Sequence, residues 1–164
     1  MDIQLKDTVT NELINAKILL ANFKDMPLKD DGWNFNWREL FKEEGIFYKV
    51  VLNEYSGKPE GLIKMTVENK DMLVLNYIEV APHNYGSSGR YDYVAGCLIA
   101  FASNLSFEIG RGHFIGFLVF NSKTKLISLY ESKYGATRIG GQRMYIDPKA
   151  GRKLMKQYLG IIKE

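Results

Sequence analysis

The feature that most constrains the fold is a strand–helix–strand run in the second half of the chain. Two segments, Met72–Val80 and His113–Phe120, are apolar on both faces, as is typical of strands that are covered on both sides. Between them the pattern predicts a helix from Asp92 to Phe107. A connection of this length joins two parallel strands by a right-handed crossover, so we expect a parallel pair inside the sheet.

The other predicted strands pair in the antiparallel sense, because short polar turns separate them. Ile46–Asn53 and Gly61–Glu68 precede Met72–Val80, with turns at 55–59 and 69–71. Ala136–Ile139 and Gln142–Asp147 are predicted to form a hairpin around Gly140 and Gly141. Asp147 is predicted to cap a helix from Pro148 to about Leu159. Three further helices are predicted at Thr10–Phe23, Trp37–Glu44 and Lys123–Tyr134.

These elements predict one α/β domain over residues 1–164, with a central mixed, mostly antiparallel sheet and helices on both faces. Within it we expect a variable helical N-terminal part (1–45), a core (46–147) and a C-terminal helical segment (148–164). The Trp33–Trp37 aromatic cluster is open to two interpretations, a lid over a substrate or the closure of one end of the core.

Composition excludes several classes of protein. The chain has 22 Lys and Arg against 19 Asp and Glu, a net charge of +3. This balance indicates that the basic residues Arg152, Lys153 and Lys156 form a solvated helix face rather than a nucleic-acid site. Cys97 is the one cysteine, which fits a reducing compartment, and one cysteine with two histidines does not predict a structural metal centre. With no secretory signal and no apolar stretch of about 20 residues, we expect a cytoplasmic protein without a membrane partner.

The junction between Met72–Val80 and the following helix combines features that bind anions. The loop amides of Gly86, Ser87, Ser88 and Gly89 are unobstructed by large side chains, and Arg90 adds a positive charge. The helix start adds unpaired amides and the positive end of the dipole. The same composition is also that of an ordinary flexible surface turn, and both interpretations stay open at this point.

The junction resembles the acyl-CoA signature of the GNAT superfamily of N-acyltransferases. That signature has a strand ending in V-x-P and then Q/R-x-x-G-x-G/A at the start of a helix; Val80–Pro82 and Arg90–Ala95 follow it. Tyr93 stands where the first glycine is usual, and Gly96 follows one residue after the motif. The order of the later elements, including the segment Leu129–Ala136, is also similar. The resemblance spans about residues 46 to 147.

The resemblance implies that acetyl-CoA is the acyl donor, without a metal, and that residues 46–147 form the acyl-CoA-binding core. A strand-end amide near Val80 or Ala81 would polarise the thioester carbonyl, and the loop and helix start would hold the pyrophosphate. The cofactor-binding residues that it implies are Val80, Ala81, Gly86, Gly89, Arg90, Tyr91, Asp92, Tyr93, Val94, Ala95, Gly96 and Asn121.

The resemblance also implies a direct attack by an amine, with Glu79 as the general base and Tyr130 as the general acid. Each has an alternative: Glu79 as a salt-bridged structural carboxylate, and Tyr130 as a core residue on the apolar stripe of its helix. Asn121 either bonds the CoA arm or caps the next helix. His83 could relay a proton, but a position in a loop turn is the favoured interpretation.

The sequence leaves the acceptor open among a small amine, a protein amine and an aminoacyl-tRNA, and a homodimer is compatible with it. A different class of function is a catalytically inactive GNAT-fold binding or regulatory module, which Tyr93 motivates because a bulky side chain could crowd the pyrophosphate. Another phosphate ligand at the same helix start is a third option.

Overall fold

Nine strands and four helices make up the computed structural model, which describes residues 1–54 and 57–161. Tyr55 and Ser56 of the predicted turn at 55–59, and 162–164 of the predicted C-terminal segment, lie outside the described residues. The strands are β1 (Asp2–Asp7), β2 (Leu13–Leu20), β3 (Ile46–Leu52), β4 (Gly61–Glu68), β5 (Met72–Val80), β6 (Tyr91–Asp92), β7 (Leu118–Asn121), β8 (Thr137–Gly140) and β9 (Arg143–Ile146). The helices are α1 (Trp37–Phe41), α2 (Val94–Ile109), α3 (Ile127–Tyr134) and α4 (Pro148–Leu159).

The strands form one mixed, mostly antiparallel sheet in the order β6-β1-β2-β3-β4-β5-β7-β9-β8, which confirms the predicted fold class. The expected parallel pair is β5 and β7, with Leu73 opposite Leu118 and Leu75 opposite Phe120. β5 continues for five residues beyond Leu75, to Val80. The strand end that carries the V-x-P motif therefore extends past its pairing with β7.

The chain divides into two compact units. The first unit comprises Met1–Lys64 and Tyr77–Leu98, and the second comprises Met65–Asn76 and the chain from Ile99 onward. β4, β5 and α2 each contribute one part to either unit. The loop and helix start that follow β5 lie in the first unit, and Asn121 and Tyr130 lie in the second.

The predicted helix Thr10–Phe23 is wrong, because this region forms the β1–β2 hairpin. Ala16 and Ile18, two positions apart, are buried, whereas Leu13 and Leu20 of the supposed helical stripe are 57% and 68% exposed. Asn11 adopts a left-handed φ of 65° in the turn, as asparagine does readily. The period-2 burial of a strand therefore outweighs the chance helical spacing of the leucines.

The strand predicted at His113–Phe120 is shorter than expected. A 3-10 turn occupies Gly112–Phe114, and β7 begins only at Leu118. Gly116 accounts for the difference because its φ is +81° and a Cβ there would lie 2.7 Å from the Phe107 ring. The left-handed glycine breaks the extended chain that the apolar run predicts.

The bounds of the remaining predicted elements differ by a few residues at most. α1 ends at Phe41 rather than Glu44, and α3 begins at Ile127 after a 3-10 turn at Thr124–Leu126. α2 begins at Val94 rather than Asp92. Among the helices in the described part of the chain, none has the length and apolarity needed to cross a bilayer.

Cys97 lies fully buried in α2, and its burial raises the pKa of the thiol to about 12. An unfolded thiol ionises at about pH 8.5. The unfolded chain therefore releases this proton first, and we expect the thiol's contribution to stability to be complete below about pH 8.5 and lost progressively toward about pH 12. Urea unfolding of the wild type and Cys97→Ala across this range checks the sign, because the wild type must lose more stability. An equal loss in both proteins would contradict it.

Candidate functional site

The loop after β5 is folded around Asn84, a buried residue that the sequence patterns did not single out. Its Nδ2 donates to the carbonyl and the Oε1 of Glu60, both at 3.1 Å, and its Oδ1 accepts from the Tyr91 amide at 2.9 Å. Gly89 lies so close that a Cβ there would be 2.5 Å from the Asn84 carbonyl oxygen. Only glycine fits at position 89, which fixes the path of the loop.

One of the four amides predicted to donate to phosphate, that of Gly89, is already used within the loop, and so is the amide of Arg90 that follows it. Gly89 N donates to Gly86 O at 3.2 Å, and Arg90 N donates to His83 O at 2.8 Å. Gly86 itself has a left-handed φ of 65° with open space around its Cα. Within the described residues, the amides of Gly86, Ser87 and Ser88 donate no hydrogen bond. These three amides are the ones that an anion could engage.

The strand-end amide predicted near Val80 or Ala81 is also partly committed. Ala81 N donates to Glu60 O at 2.9 Å, and Ala81 is 2% exposed. The Ala81 amide therefore extends the pairing of β4 and β5 by one bond at the open end of the hairpin instead of facing a ligand. The prediction of a donor to the thioester carbonyl still applies to Val80.

Tyr93, which stands at the first glycine position of the motif, adopts a backbone conformation that favours glycine. Its φ is 78°, in the left-handed region, immediately before α2 begins at Val94. A side chain in this region strains the backbone by about 1–2 kcal/mol. The turn into the helix start is therefore held against the backbone preference of tyrosine, at a position where the motif has glycine.

We expect Tyr93→Gly to be more stable than Tyr93→Ala by about 1 kcal/mol, because both variants lose the ring and only alanine retains a Cβ in the left-handed region. Chemical denaturation of the two variants measures the difference. An alanine variant as stable as the glycine variant would show that the backbone at this position carries no strain.

The start of α2 packs closely onto β4. A Cβ at Gly61 would lie 2.6 Å from Val94 Cγ1, so glycine permits this approach. The first turn of α2 contains no acidic residue, and Asp92 Oδ1 accepts from Tyr93 N at 2.8 Å. The positive end of the dipole at Val94, Ala95 and Gly96 is therefore not neutralised by a carboxylate within the helix.

Arg90, predicted to bind phosphate, is held by an ion pair. Its Nη2 lies 2.9 Å from Asp7 Oδ2, and the guanidinium stacks 5.4 Å from the Tyr91 ring centroid. The hydrogen bond from Val9 N, followed by that from Arg90, lowers the pKa of Asp7, and Asp7 raises the pKa of Arg90. Tyr91 and Asp92 pair with β1 as β6, which attaches this side of the loop to the N-terminal hairpin.

Glu79, predicted as the general base, is a buried carboxylate with four hydrogen-bond donors. Oε1 accepts from Phe35 N at 3.1 Å and Trp37 Nε1 at 2.9 Å. Oε2 accepts from Asn34 N at 2.6 Å and Tyr85 Oη at 2.5 Å. An ionised carboxylate has about four acceptor positions, so this carboxylate has none left for a substrate ammonium in this conformation. The arrangement favours the structural interpretation of Glu79.

Tyr85 completes this network from the loop side. Its hydroxyl donates to Glu79 and accepts from Asn34 Nδ2 at 2.8 Å. Burial, and then the bond to Glu79, raise the pKa of Tyr85 well above its usual range. The hydroxyl therefore remains a proton donor to Glu79 at any physiological pH.

The Trp33–Trp37 aromatic cluster belongs to the core of the first unit. Trp37 is fully buried and Trp33 is 6% exposed. Both belong to one buried cluster, whose other members are Met26, Phe47, Leu62 and Ala81. The segment thus closes one end of the core, and Glu79 binds its backbone there.

A cleft of about 390 Å³ opens beside this cluster in the first unit, and we call it the Trp33 cleft. Apolar and charged side chains share its lining, among them Met26, Asp31, Trp33, Arg38, Ala81 and His83. His83 Nε2 lies 2.5 Å from Oε1 of the buried Glu60. The cleft therefore combines apolar side chains, the residue that follows β5, and a histidine that a buried carboxylate holds from behind.

The Glu60–His83 pair has a signal in the sequence that motif and periodicity arguments do not reveal. The tight turn predicted at 69–71 places the start of Gly61–Glu68 beside the end of Met72–Val80. Glu60 must then lie next to the segment that leads from Val80 to His83. The hydrogen bond from Ala81 N to Glu60 O shows that the two segments are neighbours. The register of a hairpin can thus bring together two polar residues that are far apart in sequence.

The other predicted site residues lie in the second unit. Tyr130 packs against Phe120 and Tyr134, with centroid distances of 4.9 and 5.8 Å, and its burial raises the pKa of the hydroxyl. Asn121 is exposed at the end of β7 and pairs with Arg143. Among the described residues, no group of three or more histidine, cysteine, aspartate and glutamate side chains is placed to hold a metal ion.

Comparison with known proteins gives a match at the level of structure. No family model and no curated protein sequence matches the chain. The KacTA–DNA complex aligns with a TM-score of 0.61 and 11% identity over 87% of this chain and 99% of the other. AtaTR bound with acetyl-CoA gives 0.61 and 14% over 85% and 98%, and AtaT complexed with acetyl-methionyl-tRNAfMet gives 0.61 and 13% over 85% and 99%.

These similarities place the chain among proteins with the GNAT fold, which the KacT and AtaT toxins share. The fold predicted from the V-x-P strand and the following motif is thereby confirmed. At 11–14% sequence identity, the similarity to these structures concerns the fold alone.

Proposed function

We propose that this protein is an N-acetyltransferase that moves the acetyl group of acetyl-CoA to a primary amine by direct attack. The observation that carries the proposal is the left-handed backbone at Tyr93, at the glycine position of the acyl-CoA motif. A bulky residue held in this conformation indicates that the turn is needed for a task other than stability. The turn leads directly into the first residue of α2, the end of the helix whose dipole favours anions.

The fold supports the same proposal, since one of the similar structures, AtaTR, contains acetyl-CoA. The pyrophosphate would lie against the amides of Gly86, Ser87 and Ser88 and the first amides of α2, where the helix dipole favours anions. Arg90 would turn from Asp7 or share its charge between Asp7 and a phosphate. Val80, at the end of β5, would donate its amide to the thioester carbonyl.

The proposed reaction requires a primary amine as the acceptor, and two kinds of amine are candidates. An aminoacyl-tRNA is one candidate, which the AtaT complex with acetyl-methionyl-tRNAfMet supports by similarity of fold. A small polyamine is the other, because the mixed apolar and charged lining of the Trp33 cleft suits a flexible amine. Measuring CoA release with methionyl-tRNA and with spermidine distinguishes the two.

Titration calorimetry with acetyl-CoA tests the donor site. We expect micromolar binding by the wild type and at least ten-fold weaker binding by Arg90→Glu, because the reversed charge would lie beside the pyrophosphate. Lys153→Glu, an exposed charge reversal in α4, is the matched control and should bind as the wild type does.

Thermal unfolding of Arg90→Glu must accompany the titration, since the new carboxylate also faces Asp7. Absence of acetyl-CoA binding by the wild type would overturn the proposal and favour a non-catalytic module with the same fold. Wild-type affinity in a folded Arg90→Glu would remove Arg90 from the site and leave the rest of the proposal in place.

A further inference from the structure

The Glu60–His83 pair has the geometry of an oriented base. His83 Nε2 lies 2.5 Å from Glu60 Oε1, while half of the His83 side chain is exposed. The ring of His83 stands edge-on to Tyr91 at a centroid distance of 6.4 Å. One ring nitrogen is thus held by a carboxylate, while half of the side chain stays exposed.

Glu60 is held rigidly in its position. Its side chain is 5% exposed, and Oε1 also accepts from Asn84 Nδ2 at 3.1 Å. Its backbone bonds both neighbouring strands, since Glu60 N donates to Val50 O at 2.7 Å and Glu60 O accepts from Ala81 N at 2.9 Å. A buried carboxylate placed in this way directs the imidazole rather than following it.

The partner favours one tautomer of neutral His83. A carboxylate without a proton only accepts hydrogen bonds, so beside it Nε2 would carry the proton that Glu60 accepts. In the neutral ring Nδ1 then holds a lone pair that can take a proton from a substrate. This is the logic by which a carboxylate orients a catalytic histidine in hydrolases of other folds.

The Trp33 cleft connects this base to the end of β5. His83 and Ala81 both line the cleft, and Ala81 follows Val80, the proposed donor to the thioester carbonyl. In the proposed reaction the cleft would bring an amine from the side of His83 toward the residue that precedes Ala81. Glu79, whose acceptor positions are filled, offers no such route.

We propose that His83 is the general base of the acetyl transfer, that Glu60 is its positioning residue, and that the Trp33 cleft admits the amine; this rests on the proposed function. His83 Nδ1 takes one proton from the ammonium and releases it to solvent. The amine lone pair forms the N–C bond, and the C–S bond breaks with its electron pair on sulfur. The second amine proton ends on the thiolate, which leaves as CoA.

The two histidines of the chain allow a direct test by NMR of protein labelled with ¹⁵N-histidine, with His113 as the internal reference. We expect the Nε2–H tautomer for neutral His83 and a loss of this preference in Glu60→Gln. A protonated Nδ1 in the neutral ring would overturn the proposal. Saturating acetyl-CoA should shift the His83 signals and not those of His113, and unchanged His83 signals in an acetyl-CoA-bound protein would also overturn it.

Turnover gives the second readout, with spermidine and methionyl-tRNA as the amine probes. We expect His83→Gln to lower kcat about 100-fold with unchanged affinity for acetyl-CoA, and His113→Gln to retain wild-type values. Full activity of His83→Gln would overturn the inference while leaving the acetyltransferase proposal intact. Failure of the wild type to bind acetyl-CoA would overturn the proposed function instead, and the tautomer measurement still decides whether Glu60 orients His83.

Discussion

Replacing Glu79 by alanine should lower the free energy of unfolding by about 3 kcal/mol, because the substitution removes the acceptor of four donors. Of these donors, Trp37 Nε1 is buried and the amides of Asn34 and Phe35 are part-buried. Each buried donor left without a partner costs about 1–3 kcal/mol, and water can reach only some of them. Glu79→Gln should lose less, because its amide oxygen still accepts from Phe35 N and Trp37 Nε1 and the Tyr85 hydroxyl can turn to accept from its amide nitrogen.

Urea denaturation of Glu79→Ala, Glu79→Gln and the exposed control Glu44→Ala measures this effect. Glu44 is exposed, so its removal should leave the free energy of unfolding within about 0.5 kcal/mol of the wild type. If Glu79→Ala is as stable as the wild type but has lost turnover, the residue is the base that the GNAT resemblance implies. If Glu79→Ala loses stability but its folded molecules keep their turnover, Glu79 has a structural role.

Much of the fold could be predicted because the informative signals are local. β4 and β5 have the predicted bounds, since a tight polar turn and two apolar runs define them. α4 is framed by Asp147, which accepts from Ala150 N, and by Gly160 in the left-handed region. Capping signals of this kind act within a few residues and can be recognised without knowledge of the rest of the chain.

The β1–β2 hairpin shows where local signals mislead. In β1, Ile3 and Leu5 alternate with polar residues, which is the pattern of a strand. In β2, however, Leu13 and Leu20 have the spacing of an apolar helical stripe. Only pairing with the distant strand β3, between Ala16 and Leu52 at one end, decides which of these side chains are buried. Propensity gives way to tertiary pairing in such a case.

The sequence proposes a candidate site but cannot give the state of its groups. The motif after Val80 points to the loop and the helix start, whereas the hydrogen bonding of each group depends on distant partners. Glu79 bonds residues 42 to 45 positions away, and Arg90 meets Asp7 across 83 positions. The hydrogen bonds that decide whether a carboxylate is free or filled are therefore set by the fold.

Removing one hydroxyl, in Tyr130→Phe, should lower turnover about 100-fold and leave stability nearly unchanged. The ring packs against Phe120 and Tyr134, and phenylalanine preserves those contacts. Burial raises the pKa of Tyr130, so the hydroxyl stays protonated at neutral pH. In the role of general acid that the GNAT resemblance implies, it would supply a proton to the departing thiolate. The affinity for acetyl-CoA should be unchanged, because the hydroxyl would act only as the thioester breaks.

The matched control is Tyr134→Phe, which removes a hydroxyl from the neighbouring buried tyrosine of α3 and should keep wild-type turnover. CoA release with spermidine or methionyl-tRNA gives kcat, calorimetry gives the affinity for acetyl-CoA, and thermal unfolding gives stability. If Tyr130→Phe retains full turnover, the acid role is wrong and the side chain serves the core alone. If turnover falls in Tyr130→Phe and not in Tyr134→Phe at equal stability, the Tyr130 hydroxyl is responsible for the lost turnover. Phenylalanine keeps the ring at both positions, so a change in packing cannot explain the difference.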